Sequence, residues 1–404
     1  VSEFQTRDKW VGIDNRANSK SVPAGFLRDA VNVDPLGGGV LGLRTGYTQR
    51  TQAESARGAL AIKDQILYAD GTDLVAFDVR TDSSQVLAQV AGAGRLVGTV
   101  WNEELFFCTE NETLRYDGNT LRPWGVPTVF QQPVPQVTAG GLAAGMYLFA
   151  CTFTDASGDQ GATVNPILMN IPANGGVVVS MPTAPAGGTS RLWAGPRDSG
   201  TLYLQAEGPG DVLISTVTDS SEQLVLINHI APPIADHLEA FNGLILAASD
   251  KTLWFTLPFR PHLLTLAAAF FQYPAKIDVL ISVDGATGSG GVYVCADQTY
   301  WVTDVETDAP KQKTLLPYGA VAGTAARLPD NRVCWMTRYG LAVGDESGKI
   351  QLISANNFVP DPAEQGASGM LEHNGNQLVV TTMRSTGDNP LAASDFYDLE
   401  IVPT

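Results

Sequence analysis

Five stretches of this chain repeat one pattern, and that recurrence restricts the fold more than any other feature. Each is an apolar strand, a short polar turn and a second strand with aromatic residues: QILYADGTDLVAFDVRT from Gln65, ELFFCTENETLRYDGNT from Glu104, GLILAASDKTLWFTLP from Gly243, GVYVCADQTYWVTDV from Gly291 and RVCWMTRYGLAVGDESGKI from Arg332. A weaker sixth, GNQLVVTTMR, starts at Gly375. The pairs Asp70-Gly71, Asp117-Gly118, Asn242-Gly243, Asp284-Gly285 and Asn374-Gly375 punctuate apolar runs of four to eight residues, which is a strand-and-hairpin signature. One helix is expected, a short one over Leu263–Phe271.

The first apolar residue of each second strand gives a ruler: Leu74, Leu114, Leu253, Tyr300 and Leu341, spaced by 40, 139, 47 and 41. An interval of 40–47 matches a four-stranded propeller blade, which cannot bury both faces alone and does so by stacking on its neighbours. The predicted fold is therefore all-β: a β-propeller of five to seven blades, six fitting best. The long interval leaves roughly 95–100 residues after one blade is subtracted, about the size of a fibronectin- or immunoglobulin-like sandwich. Strands there read MYLFACTFTD (146–155), GVVVSM (176–181), SRLWAG (190–195), TLYLQA (201–206) and DVLISTV (211–217), with another strand after the polar turn at 156. The expected division is an N-terminal arm and first blades over 1–133, an inserted sandwich over 134–230, and the remaining blades and ring closure over 231–404. Closure is expected from FYDLEIVP (396–403) pairing with GVLGLRTGY (39–47).

Composition narrows the function. With 25 Lys+Arg against 42 Asp+Glu the net charge is −17, which argues against tight binding of nucleic acid phosphates. No apolar run reaches the ~18 residues of a membrane span, and the first residues, VSEFQTRDKW, show no secretory pattern. Gly and Pro total 41 + 24 = 65 residues, as many turns require. Cys108, Cys151, Cys295 and Cys334 lie far apart; three of them sit in apolar runs, so they read as small hydrophobes rather than zinc ligands or disulfides.

The segment from Trp10 to Tyr47 resembles the start of a group of bacteriophage tail proteins. It contains Gly12-Ile13-Asp14-Asn15, then Leu27-Arg28-Asp29-Ala30-Val31-Asn32-Val33-Asp34, then Gly37-Gly38-Gly39 and Arg44-Thr45-Gly46-Tyr47. Leu43 and Thr45 replace the basic residue and Pro usual in that last element. His237–Ala248 with Leu253-Trp254-Phe255-Thr256, and Tyr318–Thr324 with Tyr339-Gly340-Leu341, resemble blades of the same proteins. Gly145–Phe149, Ser157–Gly161 and Arg191–Ala194 resemble their fibronectin-type module. The resemblance implies a virion structural protein, made in the bacterial cytoplasm. It would form an oligomeric hub, nozzle or adaptor ring with itself and neighbouring tail proteins, and let genomic DNA pass without holding it. The alternatives are a host-surface binding module, for polysaccharide or protein, and a propeller glycoside hydrolase.

Chemical motifs are sparse. Gly37-Gly38-Gly39 lacks the Gly-Lys-Ser/Thr of a phosphate loop and reads as a turn. Asn111-Glu112-Thr113 reads as a hairpin residue. His229, His237, His262 and His373 show no ligand spacing, and no Gly-x-Ser-x-Gly occurs. Asp70, Glu110, Asp250 and Asp297 recur at equivalent turns, where carboxylates stabilise chain reversal rather than form the close pair a retaining glycosidase needs. Tyr68, Phe106, Phe107, Tyr116, Trp254, Tyr300, Trp301 and Trp335 read as inter-sheet core, with a sugar-stacking surface as the sharper alternative. No catalytic, cofactor or metal residues are assigned.

Overall fold

The computed structural model describes residues 9–384 apart from 18–20, 32, 37–38, 44–45, 47, 91–95, 267–269, 286–289, 308, 354–355 and 374–375. The described chain is all-β and forms two compact units. One comprises residues 53–249 and 253–271, the other 250–252 together with the described residues before 53 and after 271.

Each of the five repeats is the middle pair of an antiparallel meander. The first meander runs Ala56–Ile62, Gln65–Asp70, Asp73–Asp78 and Ser83–Gln89; the second Val97–Trp101, Glu104–Cys108, Thr113–Tyr116 and Leu121–Pro123. The third runs His237–Phe241, Leu244–Ser249, Thr252–Leu257 and Arg260–Thr265, with His229–Ile230 paired to Arg260–Thr265 at its edge and Phe270–Gln272 paired to Thr252–Leu257. The fourth is Val279–Asp284, Gly290–Cys295, Thr299–Thr303 and Lys311–Leu316; the fifth is Ala326–Arg327, Val333–Thr337, Gly340–Gly344 and Ile350–Leu352. Hairpin chemistry follows the sequence: Gly71 and Gly243 take positive φ (61° and 76°), as does Asn242 at 48°.

Middle strands are apolar on both faces because both faces are covered. Successive side chains of a strand point to opposite sides of its sheet. In Glu104–Cys108, Leu105 and Phe107 join the core shared with the first meander, while Phe106 and Cys108 join Ala235, Leu238, Ile245 and Ala247 at the third. In the second unit Tyr293 and Cys295 of the fourth meander pack with Val333 and Trp335 of the fifth. The Tyr293 ring packs at a tilt against both Trp301 and Trp335, with ring centroids 4.5 and 5.0 Å away. All four cysteines are free and buried; burial pushes the thiols of Cys108, Cys151 and Cys295 up to about 12.

Between the second and third meanders lie seven strands in two sheets. Gln136–Leu142, Gly175–Met181 and Gly210–Ile214 form one; Ile167–Ile171, Gly145–Thr154, Thr189–Ala194 and Tyr203–Glu207 form the other, neighbours in that order. Leu142, Val177, Val179, Met181 and Ile214 of the first sheet share one core with Tyr147, Phe149, Cys151, Ile171 and Leu192 of the second. Gln132 locks the entry: its amide donates to Val129 O (2.8 Å) and Thr163 Oγ1 (2.6 Å), and its carbonyl accepts from Cys151 N (2.6 Å).

Three expectations are corrected or bounded. Among the described residues of 263–271 no helix forms; Arg260–Thr265 is a strand, with Leu264 opposite Thr256 and Ile230, and Phe270–Gln272 is another. A nine-residue helix is marginal alone, whereas the open edge of the third meander supplies a ladder. The weak sixth repeat forms a two-stranded hairpin, Gln365–His373 with Asn376–Arg384, whose Val379 packs against Cys334 and Val343 of the fifth meander. Val40–Leu43 pairs with Val33–Leu36 in a local hairpin, and its expected partner at 396–403 lies outside the described residues.

Candidate functional site

The densest concentration of charge in the described chain is a clasp between the second meander and the two-sheet module. Register creates it. Arg115 stands opposite Phe106 on one side and Arg122 on the other, so these residues share a face of their sheet with Glu104, two residues before Phe106. The other residues come from the turn Asp155–Gly161. There Asp155 Oδ1 accepts from the amides of Ser157 and Asp159, both at 2.9 Å, and its Oδ2 is left to face outward. Arg115, 7% exposed, donates to Asp155 Oδ2 at 3.1 Å and Asp159 Oδ2 at 2.9 Å. Its other terminal nitrogen lies 3.9 Å from Glu104, which Arg122 also engages, and Arg122 reaches Ser157 Oγ at 2.9 Å.

Two guanidinium groups thus meet three carboxylates. His262 is close enough to feel the cluster: burial lowers its pKa, Asp159 and Asp155 work against that, and Arg115 adds to it. Every carboxylate here is committed to an arginine, an arrangement that fixes position and offers no free acid or base. The clasp is thus a mechanical joint. Sequence reading missed it because nothing in TLRY separates a buried arginine from a solvated one. The Asp-x-Ser-Gly-Asp turn at 155–159 was the available signal.

The residues singled out by sequence stay dispersed. Asp70 accepts from the amides of Glu54 (3.2 Å) and Ser55 (2.8 Å). Glu110 sits in the turn closed by Thr109 N to Glu112 O, Asp250 takes φ 49° in its turn, and Asp297 accepts from the Tyr300 hydroxyl at 3.0 Å. Asp70 thus holds the chain that enters the first meander, whereas Glu110, Asp250 and Asp297 each sit in their own turn. His229 Nδ1 lies 2.9 Å from Ile227 O. Among the described residues no group of three or more His, Cys, Asp or Glu is arranged to hold a metal. Gly37 and Gly38 lie outside the described residues. Tyr68, Phe106, Phe107, Tyr116, Tyr300, Trp301 and Trp335 are buried and Trp254 is half-buried.

The N-terminal motif is a fastener. Asp14 Oδ1 accepts from the amides of Arg16 and Ala17 (3.2 and 2.9 Å). Asn15 then pairs with Val359 in both directions: Nδ2 donates to Val359 O and Oδ1 accepts from Val359 N, each at 2.8 Å. The Asn15 amide adds a bond to Asn357 O at 3.0 Å.

No protein-family model matches the chain, and no curated protein sequence matches it. Among solved structures, apo AztD from Citrobacter koseri is 10% identical, with a TM-score of 0.31 over 73% of this chain and 71% of that one. A catalytically inactive virginiamycin B lyase from Staphylococcus aureus with quinupristin is 8% identical, with a TM-score of 0.33 over 81% of this chain and 92% of that one. Likeness this loose carries neither activity nor partner to this chain.

Proposed function

We propose that this chain is a structural protein of a bacteriophage tail: a β-propeller carrying an inserted fibronectin-like sandwich, divided near residues 133 and 230, that assembles with copies of itself and neighbouring tail proteins into a hub, nozzle or adaptor ring. The observation that carries the reading is the role of Asp14 and Asn15. They belong to the segment that resembles the start of tail proteins, and both spend their polar atoms on backbone: Asp14 closes a local turn onto Arg16 and Ala17, and Asn15 ties the N-terminal arm to residues 357–359. Motif residues used in this way belong to a part that must hold its shape. Stacked meanders, a clasped module and a net charge of −17 suit a rigid wall past which DNA slides without adhering.

Light scattering on the eluate of a sizing column tests the assembly. A ring of defined copy number, weakened by Asn15→Ala, is expected. A chain that stays monomeric at high concentration, and that does not co-assemble with the tail fraction of a disassembled virion, would overturn it.

A second reading, binding of a surface glycan, is favoured by one feature outside the clasp: an exposed tyrosine–arginine cluster.

A further inference from the structure

The turns of the fourth and fifth meanders present that cluster. The Arg338 Cζ atom lies 4.8 Å from the ring centroid of Tyr339 and 5.4 Å from that of Tyr318, and the two rings meet edge to face at 4.7 Å. Tyr339 is 46% exposed, Arg338 is exposed and Tyr318 is half-buried.

The platform is held in place from below. Thr299 Oγ1 donates to Tyr318 O at 2.8 Å, and Val321 N donates to Met336 O at 2.8 Å, so the Tyr318 segment is tied to both meanders. Gly319 leaves no room for drift, since a Cβ there would stand 2.0 Å from Ala296 O. The turn bearing Arg338 is closed by Thr337 Oγ1, which accepts from Tyr339 N at 3.1 Å and donates to Gly340 O at 2.9 Å.

Arg338 differs from five other arginines of this acidic chain. Arg115, Arg122, Arg191, Arg197 and Arg332 each face a carboxylate. Among the described residues no acceptor takes a hydrogen bond from Arg338, whose contacts are the two rings. A guanidinium held against aromatic rings, with no carboxylate taking up its donors, keeps its N–H groups available to a ligand. Such a fork fits a planar carboxylate bidentately. The adjoining exposed ring offers an amphipathic surface of the kind a pyranose covers with its C–H face. A nucleic acid strand fits less well, because one guanidinium must then offset a phosphate per nucleotide against a net charge of −17.

The geometry points to a binding site for an acidic glycan, in which Arg338 pairs with the carboxylate of a uronic acid and Tyr339, supported by Tyr318, stacks on its ring. This site goes beyond the assembly reading and is independent of it, since a monomer would carry it equally.

Calorimetric titration with a galacturonic acid hexamer tests it, with cellohexaose and a ten-nucleotide oligothymidylate as comparison probes. The hexauronate is expected to bind and cellohexaose to bind at least about tenfold more weakly. Arg338→Gln and Tyr339→Ala are each expected to weaken hexauronate binding about tenfold or more. Tyr339→Phe should retain it, and so should Arg197→Gln, which removes an exposed charge from the other unit. Thermal melts of the variants establish that they fold. Equal binding of the neutral and acidic hexamers, no loss on Arg338→Gln, or tighter binding of the oligothymidylate displaced by the hexauronate would overturn the assignment.

Discussion

Two kinds of joint hold this protein together, and they solve opposite problems. Where meander meets meander the joint is dry: Phe107 with Leu67 and Leu74, or Trp335 with Tyr293 and Val279. Where the second meander meets the two-sheet module the joint is ionic, with Arg115 bound to Asp155 and Asp159. A dry joint gains from every apolar atom removed from water and specifies geometry only through shape. An ionic joint gains little net energy, because desolvation offsets attraction, but tolerates only one arrangement of donors and acceptors. The meanders repeat and need cohesion. The module occurs once and needs an orientation.

The largest effect should come from the dry joints. Trp335→Ala deletes a fully buried ring and should cost about 3–5 kcal/mol in chemical denaturation. Trp335→Phe should cost much less than that deletion, since the indole nitrogen has no acceptor among the described residues. If the alanine variant lost under about 1 kcal/mol, the shared core of the fourth and fifth meanders would not be what holds them together.

Arg115→Ala comes next. Removing the guanidinium leaves carboxylates that are 23–30% exposed, so water repairs part of the damage and the expected loss is about 1–3 kcal/mol rather than the value for a sealed pair. The distinguishing readout is salt. Raising ionic strength from about 50 mM to about 500 mM should shrink the gap between wild type and Arg115→Ala, and leave the gap for Trp335→Ala unchanged. Equal salt response of the two variants would erase the contrast.

The dry joints were legible in the sequence because they repeat. Alternation in ELFFC and VYVCA places aromatic and small residues on both faces, and the markers from Leu74 to Leu341 count the meanders. The strands of the two-sheet module were readable from turn spacing. The ionic joint was not legible. Arg115 and Asp155 are 40 residues apart, and nothing local links them. The tyrosine platform was hidden for the same reason: Tyr318 and Arg338 meet only after two meanders stack. Leu263–Phe271 misled because local composition favoured a helix while the edge of the third meander decided the outcome.

His262 offers the smallest effect and the finest probe of the ionic joint. It lies under the influence of Asp159, Asp155 and Arg115, yet burial outweighs the carboxylates and lowers its pKa. The neutral ring is therefore favoured in the folded state. As pH falls below the unfolded value of about 6.5, the unfolded chain takes up a proton that the folded chain resists, so stability declines until pH passes below the folded pKa. Above about pH 7 the group contributes no slope. His262→Gln should thus flatten part of the decline in melting temperature between about pH 6.5 and pH 5, with little effect on the slope above pH 7. In the Arg115→Ala background the two aspartates act on His262 without their counter-ion. Its pKa should rise, and the benefit of His262→Gln on the acid side should shrink. If the benefit is the same in both backgrounds, His262 is insulated from the clasp and its burial alone governs the titration.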